Sequence, residues 1–194
     1  MSAPRHIALI GPMGAGKSSI GRHLAPLLQR RFVDLDRRIE EQAGAGIPWI
    51  FEKEGESGFR RREREALLAA LAGDGSVIAC GGGIVLAPDN RRDLRAQALV
   101  VQLQAGVDEL FQRLARDRKR PLLQSGDRRA RLEELARERE PLYTATADLA
   151  FPADSQGPAA SARRLAGHLL AHLGGSLPGA DRGDNSDDTK AASA

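Results

Sequence analysis

The stretch Gly11-Pro12-Met13-Gly14-Ala15-Gly16-Lys17-Ser18 decides the fold of this 194-residue chain. It fits the pattern G-x-x-x-x-G-K-[ST], in which a glycine-rich turn wraps around phosphate groups. The apolar run from His6 to Ile10 precedes it and predicts a buried strand, and apolar residues at helical spacing follow it. A helix that starts at such a turn presents its backbone N–H groups and the positive end of its dipole to an anion. The stretch therefore predicts a nucleotide-phosphate site between a first strand and a first helix.

Each part of this phosphate loop has a chemical task. Lys17 supplies a cation for the β and γ phosphates, and Ser18 offers a hydroxyl ligand to Mg²⁺. We therefore predict ATP and Mg²⁺ as ligands, with nucleotide contacts from Gly14, Ala15, Gly16, Lys17, Ser18 and Ser19. A chance match in a glycine-rich chain is the weaker explanation, because the strand before the motif and the helix after it are the required context. The motif does not fix the reaction, since GTPases, transport ATPases and metabolite kinases share it.

Predicted strands and helices alternate along the chain. Short apolar runs predict five strands, at 6–10, 31–35, 76–80, 98–103 and 148–151. Helical periodicity predicts helices at 18–28, 37–42, 48–53, 56–71, 88–95, 107–115, 128–143 and 158–173. This order predicts an α/β fold with three layers, in which a parallel sheet with right-handed crossovers is flanked by helices.

Composition narrows the class of protein further. Aromatic residues make up only 4% of the chain, so the core must be built from aliphatic side chains, which suits helices packed on a parallel sheet. A net charge of +3 does not demand a nucleic-acid partner. A single cysteine, Cys80, excludes an intramolecular disulfide and fits the cytoplasm. The apolar run at 7–10 is far too short to span a membrane, and we expect no membrane association.

The end of the chain has a different composition. Residues 174–194 are rich in Gly, Ser, Asp and Ala and contain a single Leu. Such a segment buries too little apolar surface to offset its ordering entropy, so we predict a disordered tail. Residues 1–173 are then expected to form one domain.

Two aspartates follow the second predicted strand. The carboxyl end of a parallel strand lies at the sheet edge where ligands bind, so Asp34 and Asp36 are expected near the phosphate loop. If the strand continues, their side chains point the same way, and one could serve Mg²⁺ while the other serves an acceptor hydroxyl. The alternative is an ordinary helix N-cap at Asp36.

Further motifs make the pattern specific. Phe51 and Phe59-Arg60 flank a glycine-containing bend, and Gly81-Gly82-Gly83 follows the third predicted strand. Arg120-Pro-Leu-Leu and Arg139 come later in the chain. With the phosphate loop and the Asp-x-Asp pair, this ordered set resembles the shikimate kinase family over residues 6–173.

The resemblance implies a reaction, a topology and a set of roles. The family transfers the γ-phosphoryl group of ATP to the 3-hydroxyl of shikimate, in the route to chorismate and the aromatic amino acids, and has a five-stranded parallel sheet in the order 2-3-1-4-5. Asp36 would bind the acceptor hydroxyl, and Asp34 would hold a water bound to Mg²⁺. The remaining implied contacts are Arg60 and Arg139 with the shikimate carboxylate, Gly82 and its neighbours Gly81 and Gly83 with the acceptor through the backbone, Phe51 and Phe59 with the ring, Arg113 and Pro158 with adenine, and Arg120 with the transferring phosphates.

An arginine-rich stretch lies between Arg113 and Arg139. Most of these arginines are expected on a solvated helix face. An RNA-binding patch is the weaker alternative, because acidic residues interleave. We predict that residues 116–127 form a mobile lid that brings Arg120 to the phosphates.

Two other functions remain open on the sequence. Another small phosphate-loop kinase, acting on gluconate or a nucleoside monophosphate, would share most of the nucleotide site. A non-catalytic nucleotide-binding switch would bind ATP without turnover, although Lys17, Ser18, Asp34 and Asp36 are all present. We expect a monomer whose partners are ATP and a small-molecule acceptor.

Overall fold

The computed structural model describes residues 6–114, 127–153 and 156–174. Its five strands are β1 His6–Ile10, β2 Arg31–Asp34, β3 Ser76–Ala79, β4 Ala98–Gln104 and β5 Leu149–Pro152. Its helices are α1 Lys17–Leu27, α2 Leu35–Ala43, α3 Ile47–Leu71, α4 Pro88–Gln97, α5 Val107–Leu114, α6 Arg128–Thr146 and α7 Pro158–Leu173, with a 3₁₀ turn at Ile84–Leu86. Each predicted strand is present, and no boundary differs from the prediction by more than one residue.

All strand pairs are parallel, and the sheet order is β2-β3-β1-β4-β5. The strand β1 is central: Ile7 pairs with Val77 on one side and with Leu99 on the other. Every residue of β1 is buried, as expected for a parallel strand covered on both faces. The predicted fold class and strand order are confirmed.

One apolar core lies on each face of the sheet. On one face, α1 and α7 pack against the strands through Leu24, Leu165 and Leu169. On the other face, Leu35, Leu67 and Leu94 join the core from α2, α3 and α4, together with Tyr143 of α6. The sheet between these helix layers directs the carboxyl ends of its strands to one edge, where the phosphate loop follows β1.

The second strand ends earlier than predicted. β2 stops at Asp34 and α2 begins at Leu35, so Asp36 lies in the first turn of a helix and the condition of a continuing strand is wrong. The helix cap is Asp34, whose Oδ1 accepts a hydrogen bond from the backbone N–H of Arg37 at 3.3 Å, so the alternative of a cap at Asp36 is wrong too. Leu35 and Ile39, four residues apart, are both fully buried and lie on the same face of α2.

The helices predicted at 48–53 and 56–71 abut in α3. Gly55 separates them, with φ 70° and ψ −177°, a conformation that is accessible only to glycine. Across this break the Arg62 guanidinium donates to the Glu54 carboxylate, with Nη2–Oε1 at 2.7 Å and Nε–Oε2 at 2.9 Å. The first half of α3 carries Phe51 and the second half carries Phe59 and Arg60, so the break places these side chains at one site.

Some predictions fall outside the part of the chain that the structure describes. The predicted lid, residues 116–127 with Arg120, lies outside it except for Asp127, which caps α6. The predicted tail, residues 174–194, lies outside it except for Gly174, the C-cap of α7. Within the described residues, no helix has the length and apolar character that a membrane crossing requires.

Candidate active site

The phosphate loop connects β1 to α1 through backbone that requires glycine at its ends. Gly11 has φ 134°, and a Cβ there would lie 2.4 Å from the carbonyl oxygen of Leu103. Gly16 is the N-cap of α1 and has φ 90°, and as a glycine it has no side chain that could bind the N–H groups of the first turn. The first turn of α1 therefore opens directly into the loop, and its backbone N–H groups are available to an anion.

Lys17 is folded into this loop. Its side chain is buried, and Nζ donates to the carbonyl oxygens of Gly11 and Pro12, both at 2.8 Å. These contacts hold the ammonium group inside the turn, beside the backbone that a phosphate would meet.

A cavity of about 610 Å³ opens in front of the loop. The predicted nucleotide residues Gly14, Gly16, Lys17, Ser18, Ser19, Arg113 and Pro158 line it, together with Glu109, Gln112 and Ser161, which the sequence pattern did not single out. Ala15, also predicted, is buried in the apolar core beneath the loop. The guanidinium of Arg113 donates to the carbonyls of Gly14 at 3.2 Å and Ala153 at 3.1 Å and pairs with Glu109.

A second cavity of about 380 Å³ adjoins the first. Ser18, Asp36 and Gly82 line both cavities. The predicted acceptor residues all line the second one: Asp36, Phe51, Phe59, Arg60, Gly81, Gly82, Gly83 and Arg139, with Asp34 beside them. The two cavities meet where a phosphoryl group would pass from one bound molecule to another.

Four arginines line the second cavity: Arg60 and Arg139, which were predicted to bind the acceptor, and Arg22 and Arg37. Arg60 lies on α3 and Arg139, which is buried, lies on α6. A Cβ on Gly83 would stand 2.3 Å from Nη1 of Arg60, so the glycine leaves the space that this guanidinium occupies. The paired rings of Phe51 and Phe59, with centroids 4.8 Å apart, form the apolar wall.

Glu63 is a part of this site that the sequence pattern did not assign. It is almost completely buried, and its Oε2 accepts a 2.7 Å hydrogen bond from Nη1 of Arg60. Its other oxygen, Oε1, has no hydrogen-bond partner among the described residues. A carboxylate three residues after an arginine on a helix is the signal that could have found it.

Burial and charge act differently on the two members of this pair. Burial raises the pKa of Glu63, and the negative charge of Asp36 raises it further, whereas the charge and hydrogen bond of Arg60 lower it. Burial works to lower the pKa of Arg60, but Glu63 and Glu56 together raise it above its ordinary value. The pair thus keeps Arg60 charged, and the cost is the burial of the Glu63 carboxylate, which disfavours its charged form.

The metal site predicted from Ser18 and Asp34 is consistent with the donors present. Both side chains line the second cavity, and Ser18 also faces the nucleotide cavity. The described residues contain no group of three or more acidic, His or Cys side chains that could hold a metal ion by themselves. Mg²⁺ is commonly held by one or two protein oxygens plus substrate phosphates and water, and this donor set fits that mode.

Cys80 is the single cysteine of the chain and also lines the first cavity. It is buried, and burial raises the pKa of its thiol far above the ordinary value, so the thiol stays protonated at neutral pH. It packs in the same core cluster as Ile10 and Ile78.

A phosphate loop, an adjoining arginine-lined cavity and an aspartate at their junction define a class: this is a phosphate-loop kinase for a small-molecule acceptor. The family model for shikimate kinase matches residues 13–170. A shikimate kinase of Mannheimia succiniciproducens is 48% identical over 88% of this chain and 95% of its own length. The chain belongs to the shikimate kinase family.

Solved structures agree with this assignment. A structure of shikimate kinase from Acinetobacter baumannii in complex with shikimate has a TM-score of 0.85 and 41% identity, covering 88% of this chain and 95% of the other. Shikimate kinase from Aquifex aeolicus has a TM-score of 0.75 and 28% identity, covering 88% of this chain and 99% of the other.

Proposed function

We propose that this protein transfers the γ-phosphoryl group of ATP to the 3-hydroxyl of shikimate, giving shikimate 3-phosphate and ADP in the route to chorismate and the aromatic amino acids. Membership of the family supports the reaction. The observation that carries the proposal is the junction of the two cavities at Ser18, Asp36 and Gly82, because donor and acceptor must meet there.

The chemistry of the second cavity matches an acidic polyol. Planar guanidinium groups recognise carboxylates through paired N–H donors, which suits Arg60 and Arg139 for the carboxylate of shikimate. Phe51 and Phe59 offer an apolar face to the carbon ring. The backbone at Gly81, Gly82 and Gly83 allows close approach of the hydroxyls.

Asp36 is assigned to the acceptor hydroxyl. A carboxylate at the cavity junction accepts a hydrogen bond from the 3-hydroxyl and so aligns its oxygen with the phosphorus atom. The same carboxylate is placed to receive the proton as the new O–P bond forms. The contact between Asp36 and the 3-hydroxyl thus contributes to catalysis in two ways, by alignment and by proton acceptance.

The nucleotide is assigned to the first cavity. Backbone N–H groups at residues 14–19 and the ammonium group of Lys17 neutralise the phosphate charge. Arg113 and Pro158 are assigned to adenine, and both line this cavity. Ser18 and Asp34 are assigned to Mg²⁺, Asp34 through water, and the metal when bound supplies charge neutralisation at the phosphates. The transfer is direct and in line, without a phosphorylated enzyme.

The proposal also covers the catalytic domain, the cellular compartment and the oligomeric state of the enzyme. We assign catalysis to residues 1–173 and no catalytic part to residues 174–194. A single buried thiol suits the reducing cytoplasm. We propose that the enzyme acts as a monomer.

The decisive experiment is an acceptor panel. Purified protein with ATP and Mg²⁺ is offered shikimate, gluconate and AMP in parallel, and ADP release is measured together with the phosphorylated product. Turnover with shikimate alone supports the proposal. Turnover with gluconate or AMP instead identifies another small kinase, and ATP binding without turnover of any acceptor identifies a nucleotide-binding switch. Lys17→Ala serves as the inactive control for contaminating kinases.

A further inference from the structure

Two side chains of α6 converge on one carbonyl of the glycine loop. The oxygen of Gly82 accepts hydrogen bonds from the hydroxyl of Tyr143 and from Nη1 of Arg139, the latter at 3.3 Å. On its other side, Gly82 lies against the phosphate loop, where a Cβ would be 3.3 Å from the backbone nitrogen of Met13. The peptide after Gly82 is therefore held between the helix and the phosphate loop.

Such an anchor matters because the loop consists of three glycines. Because Gly81, Gly82 and Gly83 have no side chains, their conformational freedom is wide. Hydrogen bonds to their backbone groups are therefore needed to fix the conformation of the loop. The carbonyls of Gly81 and Gly83 accept from the N–H groups of Ile84 and Leu86. The carbonyl of Gly82 depends on α6.

The orientation of this carbonyl determines what the loop presents to the acceptor. A peptide unit is planar, and the chain has no cis peptide bond among its described residues, so the N–H of Gly83 points opposite to the carbonyl of Gly82. Tyr143 and Arg139 pull the carbonyl toward α6. The N–H of Gly83 is thereby turned away from that helix.

The same contact orients Arg139. This arginine is buried, its bond to Gly82 is long, and its Nε has no hydrogen-bond partner among the described residues. A buried cation with so few partners is poorly fixed by itself. The hydroxyl of Tyr143 lies beside it and shares its acceptor, which limits where the guanidinium can settle.

Tyr143 is well suited to this task. Its ring is almost completely buried in the core beneath the site, so the hydroxyl has a fixed position. Burial, the largest influence, raises its pKa to about 12, so the hydroxyl stays protonated and remains a donor at neutral pH.

We propose that Tyr143 is a positioning residue for the acceptor: its hydroxyl holds the Gly82 peptide and, through the shared carbonyl, the guanidinium of Arg139. Tyr143 lines neither of the two cavities, so it acts through Gly82 and Arg139. The proposal rests on the assignment of shikimate to the second cavity.

The test is the substitution Tyr143→Phe, which removes the hydroxyl and keeps the ring. Steady-state KM values for shikimate and ATP, kcat, shikimate affinity by calorimetry and thermal melting are measured for both proteins. We expect the KM and the dissociation constant for shikimate to rise about tenfold, as for one buried hydrogen bond. The KM for ATP should rise much less than the KM for shikimate, because Gly82 lines both cavities but Gly14, Lys17 and Ser19 keep their contacts.

Thr146→Val is the matched control. Thr146 lies in the same helix, is equally buried, and donates its hydroxyl to the carbonyl of Leu142 at 2.6 Å, away from both cavities. Its loss should lower the melting temperature without separating the two KM values. Tyr143→Phe would overturn the proposal if it left shikimate binding unchanged, if it moved both KM values together as a stability loss does, or if it failed to fold. Turnover of shikimate by the unmodified protein tests the proposed function separately, so the two failures are distinguishable.

Discussion

Arg60 and Glu63 form an ion pair of 2.7 Å across one turn of α3, and the carboxylate is almost completely buried while the guanidinium is partly exposed. Arg60 also pairs with Glu56 at 2.9 Å on its solvent side. The arginine is thus held from two directions with its remaining donors toward the acceptor cavity. Glu63 keeps this geometry at an electrostatic cost, and that cost is measurable.

The first prediction concerns the pH dependence of stability. Because the folded-state pKa of Glu63 lies above its ordinary value of 4.5, the folded protein binds the proton more tightly than the unfolded chain. The contribution of this group to the free energy of unfolding is full below 4.5 and is lost as pH rises through the raised pKa. The difference in unfolding free energy, wild type minus Glu63→Gln, should therefore fall as pH rises above 4.5 and through the raised pKa of Glu63.

Urea unfolding of both proteins across this range measures the difference. Glu65→Gln is the matched control, since it removes an exposed carboxyl from the same helix. A difference that grows with pH would show that the attraction of Arg60 outweighs burial, so that the folded-state pKa of Glu63 lies below its ordinary value.

The second prediction concerns acceptor affinity. Arg60→Ala should weaken shikimate binding by on the order of 2–4 kcal/mol, because a desolvated carboxylate loses one of two arginines. ATP affinity should change little, since Arg60 does not line the nucleotide cavity. Arg61→Ala is the control, because Arg61 is adjacent, exposed and only distantly paired with Glu54 at 3.8 Å. Calorimetric titration that finds equal shikimate affinity for Arg60→Ala and wild type would show that Arg60 does not bind the shikimate carboxylate.

The third prediction concerns the phosphate loop. Lys17→Ala should abolish most turnover while leaving the protein folded, because the ammonium group is assigned to phosphate charge and not to the core. It also loses the bonds from Nζ to the carbonyls of Gly11 and Pro12, so a small drop in melting temperature is expected. Turnover near the wild-type rate in a folded Lys17→Ala protein would contradict the assignment.

Local patterns were sufficient to predict much of this architecture. The phosphate loop could be predicted from the sequence because its residues are contiguous and all of them serve one ligand. The strands could be predicted because a strand that is buried on both faces is a short continuous apolar run, such as the run from His6 to Ile10. The strand order came from the family resemblance, since neighbouring strands such as β1 and β4 are far apart in sequence.

Other features depend on contacts that no local pattern records. The spacing of Arg60 and Glu63 indicates an ion pair on one helix, but only the fold shows that this carboxylate is buried and close to Asp36. The bond from Tyr143 to Gly82 joins residues 61 positions apart. The end of β2 was misplaced because apolar Leu35 continues the strand pattern, whereas its burial together with Ile39 is satisfied by a helix.

The last prediction concerns the contact between Gly83 of the glycine loop and the guanidinium of Arg60. Gly83 has φ −101°, which any residue adopts, so alanine there brings no backbone strain. Its Cβ, however, would stand 2.3 Å from Nη1 and 2.4 Å from Nη2 of Arg60. The end of a flexible arginine can move away, so Gly83→Ala should still fold, at a lower melting temperature because the buried Glu63 loses its ion pair with Arg60. The displaced guanidinium would lose its hold on Glu63 and on the acceptor.

Shikimate affinity should therefore fall by about tenfold or more in Gly83→Ala, while ATP affinity stays near the wild-type value. Gly167→Ala is the control, because a Cβ at that position in α7 meets nothing within 4 Å. Calorimetry with each ligand and thermal melting of all three proteins check the prediction. Loss of stability in Gly83→Ala with normal shikimate binding would mean that the loop moves and Arg60 stays, the reverse of what the packing indicates. Equal binding and equal stability in all three proteins would mean that the contact between Gly83 and Arg60 places no constraint on the site.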